Sequence, residues 1–358
     1  NGKINPAATL GRKVLYNGEY YTLRPDDWTD EVYMNGVRQE YNVSIAAANE
    51  KSSFFGSFGY LNNEGIVKAT GYERYTARLR ADYNAKKWLK VGGNALYTHS
   101  YANVSESEGS SNSSGNMFAI IPTIAPIYPL YVRDGNGHIK RDSYGNIIYD
   151  YGTSTRAGSN VGLSRPYFSN SNAYGSHLLD KHNTISDTAG FDGFADFKLP
   201  QGFTVTVKGG TSVSIDNSLS TTNNLYGSGE STGGSIARQT TIYWSYTLQQ
   251  LLTWNRQFDK HNIDVLLGHE NSYSRGRALT GSKSNLFSST STELPQALKT
   301  VSTSSSVSEY NNEGYFIRAQ YDYDNRIFAS AMYRRDASSR FPPKHRWGNF
   351  WAISAGWL

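Results

Sequence analysis

Hydrophobic and polar residues trade places at every second position along much of this chain, and the pattern does not settle into helical spacing. Tyr75, Ala77, Leu79, Ala81 and Tyr83 alternate with Arg74, Thr76, Arg78, Arg80 and Asp82. Phe203, Val205, Val207, Gly209, Thr211 and Val213 alternate with Thr204, Thr206, Lys208, Gly210, Ser212 and Ser214. Neighbouring side chains of a strand point to opposite faces, so each segment is apolar on one side and polar on the other. In a soluble sandwich the polar face is the outside. In a membrane barrel the apolar face meets lipid and the polar face lines a water-filled lumen.

The connections decide between these architectures. About eleven strands can be marked between residue 39 and the end of the chain. Tight links at 49–51, 84–87, 200–202, 259–261 and 324–325 alternate with longer ones. The long links fall near 62–71, 102–183, 217–236 and 275–312, the last containing the hydroxyl run Ser302, Thr303, Ser304, Ser305 and Ser306. Sorting by parity puts short turns at one end and long loops at the other, as in outer-membrane barrels. Several strands exceed ten residues, which suits a tilted crossing. The expectation is an all-β fold, a transmembrane antiparallel β-barrel over 37–358. Residues 1–36 are expected to form a partly irregular lead-in.

Composition sharpens this picture only in part. The 358 residues include 27 Tyr, 7 Trp, 15 Phe and 34 Gly. Tyr and Trp collect at membrane–water boundaries, although such a surplus also fits a glycan-binding surface. No stretch approaches the roughly 20 apolar residues of a membrane helix. The absence of cysteine excludes disulfides, thiolate metal sites and a cysteine nucleophile. The formal charge of +5 is dispersed, with no basic tract of the kind that tracks nucleic acid. The chain opens on Asn1-Gly2-Lys3 and stops at Gly356-Trp357-Leu358 within a strand pattern, so it reads as an interior piece of something longer.

Several segments form an ordered series of motifs along the chain. They include Tyr41-Asn42-Val43-Ser44-Ile45, Asn49-Glu50-Lys51-Ser52-Ser53-Phe54-Phe55 and Gly59-Tyr60-Leu61-Asn62-Asn63-Glu64-Gly65-Ile66-Val67-Lys68. Glu73-Arg74-Tyr75-Thr76-Ala77-Arg78-Leu79 and Trp88-Leu89-Lys90-Val91-Gly92-Gly93-Asn94 follow in order. Tyr321-Asp322-Tyr323-Asp324-Asn325-Arg326, Arg334-Arg335-Asp336-Ala337-Ser338-Ser339-Arg340-Phe341, Arg346-Trp347-Gly348 and Ser354-Ala355-Gly356-Trp357 complete the series. Together these segments resemble the SusC/RagA family of TonB-linked outer-membrane transporters. Ala337 stands where the family usually has Gly, and Pro342 and Trp351 stand where Gly and Pro are common. The resemblance implies about half of a 22-strand, plugged barrel. It also implies a TonB complex acting through a missing N-terminal part, a SusD-like surface lipoprotein as partner, and a glycan or peptide as solute. A siderophore or vitamin receptor of the same barrel class is the nearest alternative. A surface glycan-binding adhesin is the alternative outside transport.

Candidate chemistry is sparse. His99, His138, His177, His182, His261, His269 and His345 form no HExxH, and only His177 and His182 are close. Serine never occurs in GxSxG, and Gly227-Ser228-Gly229 lacks the strand and helix of a phosphate cradle. Asp134-Gly135-Asn136-Gly137 reads as an Asp-Gly turn, since calcium-loop spacing fails after two ligands. Neither an enzyme nor a cofactor is expected. On the lumen side, Arg74, Arg78, Arg80, Asp82, Asp192, Asp196, Lys198, Arg318, Asp322 and Arg334 form either a contact surface for plug or solute, or simply a solvated wall. In the long insertion, Tyr128, Tyr131, Tyr144, Tyr149, Tyr151, Tyr167 and Phe168 form either a glycan-stacking surface or the packing of the loop itself. The Pro-broken apolar segment 116–127 is expected to pack this insertion onto the barrel mouth or a partner.

Overall fold

The computed structural model describes residues 12–104, 117–125, 127–143, 145–152, 172–225 and 229–358. Among these, eleven strands form one antiparallel meander, each paired with its neighbours in sequence. They are β3 (Arg38–Ala48), β4 (Ser52–Glu64), β5 (Gly71–Lys86), β6 (Leu89–Asn103), β7 (Lys181–Lys198) and β8 (Phe203–Thr222), then β9 (Ser235–Phe258), β10 (His261–Leu286), β11 (Ala297–Tyr323), β12 (Ile327–Ser338) and β13 (Trp347–Trp357). A separate hairpin, β1 (Arg12–Tyr16) and β2 (Glu19–Leu23), precedes them. The sheet is an arc of a larger transmembrane barrel, with β3 and β13 at its two edges. No described helix is long and apolar enough to cross a membrane.

The short turns are built as their residues require. Asp324 and Asn325 both adopt positive φ (51° and 55°), a geometry Asp and Asn tolerate best among side chains with a Cβ. At the β7–β8 turn Gly202 has φ 86°, and a Cβ there would stand 2.3 Å from the Asn255 carbonyl oxygen. The opposite ends carry the longer connections, so the parity seen in the sequence holds in the sheet.

Register fixes which face each residue serves. Tyr83, Ala81, Leu79, Ala77 and Tyr75 of β5 share a face with Val91, Gly93, Ala95, Tyr97 and His99 of β6. That face continues through Ala195, Gly193, Phe191 and Ala189 of β7 to Val207, Gly209, Thr211 and Val213 of β8. The apolar face is bounded by aromatics at two levels. On the turn side, Trp88 stacks with Phe197 at 6.4 Å, and Phe203 packs at 6.1 Å against Trp254, whose indole donates to Gln201 O. On the loop side, the hydroxyls of Tyr75, Tyr97 and Tyr315 donate to Glu73, Asp187 and Glu313 at 2.6–2.7 Å. Trp244, Tyr246 and Tyr273 cluster between them. From Phe197 to Ala189 the strand runs roughly 27 Å, which tilt shortens toward the height of a membrane barrel's apolar band. Amphipathic rings at both edges of an apolar belt match two membrane interfaces.

Two loop boundaries differ from the sequence reading. The 275–312 link shrinks to residues between Leu286 and Ala297, and the 217–236 link to residues between Thr222 and Ser235. The hydroxyl run lies inside β11, with Ser302 opposite Ser282 and Ser305 opposite Leu279. Where a strand rises beyond lipid, water lies on both faces and the alternation that marks a strand disappears.

The described part of the lead-in combines a hairpin and a short helix with irregular links. The β1–β2 hairpin turns at Asn17-Gly18, both with positive φ. It and helix α1 (Trp28–Val32) pack into the β6–β7 insertion, which contributes α2 (Met117–Ile120) and α3 (Ala173–Leu179). Together they form the largest buried cluster, including Trp28, Val32, Met117, Leu130, Val132 and Tyr151. The Trp28 indole donates to Tyr128 O at 3.0 Å. Asp26 accepts from Leu130 N at 2.8 Å and from both terminal nitrogens of Arg133 at 2.6 and 3.0 Å, with both side chains under one-tenth exposed. Asn172 donates to Leu130 O and Asp150 O and caps α3 by accepting from Gly175 N.

Candidate functional site

The face opposite the lipid belt bears the charged positions. Arg74, Arg78, Arg80 and Asp82 face Leu61, Ser57, Phe55 and Ser53 of β4 across the ladder. Asp192 lies opposite Asn94 and Gly210, and Asp196 opposite Lys90 and Thr206. A concavity of about 980 Å³ spans β4 to β9 on this face and is lined by Arg78, Arg80, Asp82 and Asp192. The sequence reading missed several of its other members, namely Phe55, Asn94, Phe194, Lys208, Thr247 and Gln249. The same two-residue period points to all of them, because they share the parity of the charged set.

Small residues shape this wall. A Cβ on Gly92 would lie 2.4 Å from both Asp82 Oδ1 and the Phe194 ring, and one on Gly210 would lie 2.4 Å from Asp192 Oδ1. Two glycines thus let an aromatic ring and two carboxylates lie flat across the strands. Asp82 accepts from Ser53 Oγ at 3.2 Å and pairs with Arg80 at 3.3 Å. Asn94 donates to Asp192 at 3.4 Å, and Thr206 to Asp196 at 2.7 Å. Further round the arc Arg318 pairs with Asp264 at 3.4 Å. Arg334 bridges Asp336 (2.7 Å) and Glu270 (3.3 Å) over the Phe316 ring. Asp322 shares this face but serves its turn, accepting from Asn325 N at 2.9 Å. Such a surface offers donors and acceptors of both signs and suits a polar solute held by many weak contacts.

The insertion tyrosines behave differently from the glycan-stacking expectation. Tyr128, Tyr131, Tyr149 and Tyr151 are all buried, Tyr151 completely. Tyr131 packs on Tyr149 at 5.7 Å and donates to Glu31 at 2.8 Å, while Tyr149 meets Tyr174 edge-on at 6.3 Å. Burial raises the Tyr149 hydroxyl above its ordinary value and pushes Tyr174 up to about 12. The faces a sugar would need are turned inward, packed with Trp28, Met117, Leu130 and Val132 in the core of this subdomain. Tyr144, Tyr167 and Phe168 lie outside the described residues, as do Asn116 and Pro126 of the apolar segment. Of the close histidines, His177 Nε2 meets Lys68 O at 2.8 Å and His182 Nδ1 meets Ser220 Oγ at 3.1 Å. The Asp134 loop is a tight turn whose carboxylate accepts from Asn136 N and His138 N.

No protein-family model matches the chain. It is 26% identical over 338 residues to TonB-dependent receptor P39 of Formosa agariphila, and 25% identical over 354 residues to TonB-dependent receptor SusC of Bacteroides thetaiotaomicron. Each match covers 92% of this chain. The fold aligns with the RagAB peptide importer in its open-open state at a TM-score of 0.76 and 20% identity, covering 97% of this chain and 36% of that one. The chain is similar in sequence to TonB-dependent receptors of the SusC type and in fold to the RagAB importer. It spans 29% and 32% of the length of the two curated relatives. The two-sided sheet is barrel wall, with its mixed-charge face opposite the apolar one.

Proposed function

We propose that the full protein is a TonB-dependent importer of a bacterial outer membrane, taking up oligosaccharides or peptides delivered by a SusD-like surface lipoprotein. The observation that carries this reading is the mixed-charge wall around the 980 Å³ concavity, set behind a lipid-facing belt with two aromatic edges. A polyhydroxyl or zwitterionic solute exchanges water for many comparable polar partners along such a wall. No single contact is strong enough to trap it. The chain itself performs no chemistry: passage follows from movement of a plug driven through TonB, both contributed by other parts of the protein or its partners. The RagAB relative is named a peptide importer, which supports peptides as one solute class.

The test uses the full-length gene in its host. A deletion strain is supplied with a panel of oligosaccharides and peptides as sole nutrients, with and without an intact TonB system. Growth on at least one class that needs both the gene and TonB is the expected result. Uptake that persists when TonB is removed would overturn the energised mechanism and leave a passive pore. A phenotype confined to iron or vitamin limitation would move the protein to the siderophore or vitamin class.

A further inference from the structure

We propose that a groove on the lipid face between β9 and β12 holds one acyl chain of a phosphate-bearing outer-leaflet lipid, with Arg335 against its phosphate. The groove has a volume of about 530 Å³. Leu252, Leu267, Ile317 and Tyr333 form its apolar walls, and Gln250 and His269 border it with polar groups. All six share the face that register assigns to lipid, between the two aromatic levels. Hydrocarbon is therefore the medium that meets this groove.

Polar side chains on a lipid face are costly and call for a reason. Here they are tied to one another. His269 Nδ1 meets Gln250 Oε1 at 2.6 Å, and its Nε2 meets Glu313 Oε1 at 3.2 Å. The Tyr315 hydroxyl donates to the same carboxylate at 2.7 Å, and the Tyr315 ring stacks on the imidazole at 4.6 Å. With both ring nitrogens engaged, His269 presents no free donor to the groove.

Arg335 stands directly opposite Tyr315 in the β11–β12 ladder, at the loop-side aromatic level where lipid headgroups begin. Its guanidinium lies 5.1 Å from the centre of the Trp347 ring. Among the described residues it has no carboxylate partner at ion-pair distance, unlike Arg334 beside it. A planar fork fixed on an aromatic ring and lacking a counter-ion is suited to a phosphate. The sheet also supplies an internal control. Tyr75, His99 and Asp187 repeat the tyrosine–histidine–carboxylate trio on β5 to β7. There the register places His99 and Tyr60 beside Tyr75, with no arginine.

The experiment is native mass spectrometry of the full-length protein in detergent, titrated with dipalmitoyl phosphatidylglycerol and separately with dipalmitoylglycerol, which lacks the phosphate. One phosphatidylglycerol should stay bound under activation that strips the others. Arg335→Gln should weaken phosphatidylglycerol binding about tenfold and leave dipalmitoylglycerol unchanged. Leu267→Trp, which fills the groove, should weaken both lipids, while Leu79→Trp on the control sector weakens neither. If Leu267→Trp does not fold, Ile317→Phe obstructs the same groove. Equal binding by the groove variant and Leu79→Trp would overturn the site. An Arg335→Gln protein that binds phosphatidylglycerol as tightly as the parent would overturn the phosphate contact.

Discussion

The barrel arc and the subdomain above it use the same aromatic-rich composition in opposite ways. In the arc, large apolar side chains point away from the protein: Val43, Ile45, Trp351 and Ile353 are between 65% and 76% exposed. In the subdomain formed by the lead-in and the β6–β7 insertion, Trp28, Leu130, Val132 and Tyr151 are almost fully enclosed. The difference is the solvent each was built for. Lipid completes the arc, whose backbone is satisfied strand to strand. The subdomain stands in water and must bury its own apolar surface. An aromatic in this chain therefore carries no functional meaning until its surroundings are known.

The sharpest way to separate the regions is to break the lock that holds the subdomain together. Asp26→Ala leaves Arg133 charged and enclosed without its partner, at a cost of about 3–5 kcal/mol. Hydrogen exchange in the full-length protein should accelerate across 127–152 and within α1, with β4 to β6 unchanged. Equal acceleration in the sheet would show that the two regions open as one unit. A somewhat smaller effect is expected on the lipid face. Leu79→Arg or Val205→Arg should destabilise the barrel by about 2–4 kcal/mol near the membrane midplane in refolding titrations, while Arg78→Gln on the lumen side stays within about 0.5 kcal/mol. Equal tolerance at Leu79 and Arg78 would remove the assignment of faces.

Next in size is the cap of α3. Asn172→Ala removes two side-chain donors to buried carbonyls and the acceptor for Gly175 N, and should cost about 1–3 kcal/mol. Exchange at Leu130 and Gly175 should report it. Nothing in the sequence marks Asn172, whereas the face of Arg78 follows from counting by two. That contrast sets the limit of what was legible. A strand crossing a membrane must alternate, so β5, β8 and the lumen positions could be placed from the residues alone. Above the membrane the period vanishes, which is why Ser302 to Ser306 read as loop although they pair with β10. The subdomain joins residues far apart in sequence, such as Asp26 and Arg133, through irregular backbone that carries no period at all. Its tyrosines were visible, but their direction depends on that fold.

The smallest effect is also the one that depends on pH. His177, in the last turn of α3, is half-buried and donates through Nε2 to Lys68 O in the β4–β5 connection at 2.8 Å. With a carbonyl as partner, Nε2 must carry the proton, so the docked ring is the neutral Nε2–H form or the cation. Burial holds its pKa below the ordinary value of 6.5, and the bond to the carbonyl offsets this only in part. The undocked ring therefore binds a proton more readily than the docked one. As pH falls through 6.5 toward the docked value, the undocked state gains protons first and the contact weakens. Above 6.5 the ring is neutral in both states and stability is flat. The slope can reach at most about 1.4 kcal/mol per pH unit. Exchange at 65–70 and 173–179, corrected for intrinsic rates, should rise between pH 7 and pH 5 while β5 and β6 do not change. His177→Gln keeps a donor to Lys68 O without a titrating ring, so it should abolish this pH dependence. If the dependence persists in the variant, another group in the subdomain carries it and the arc and subdomain are not coupled through His177.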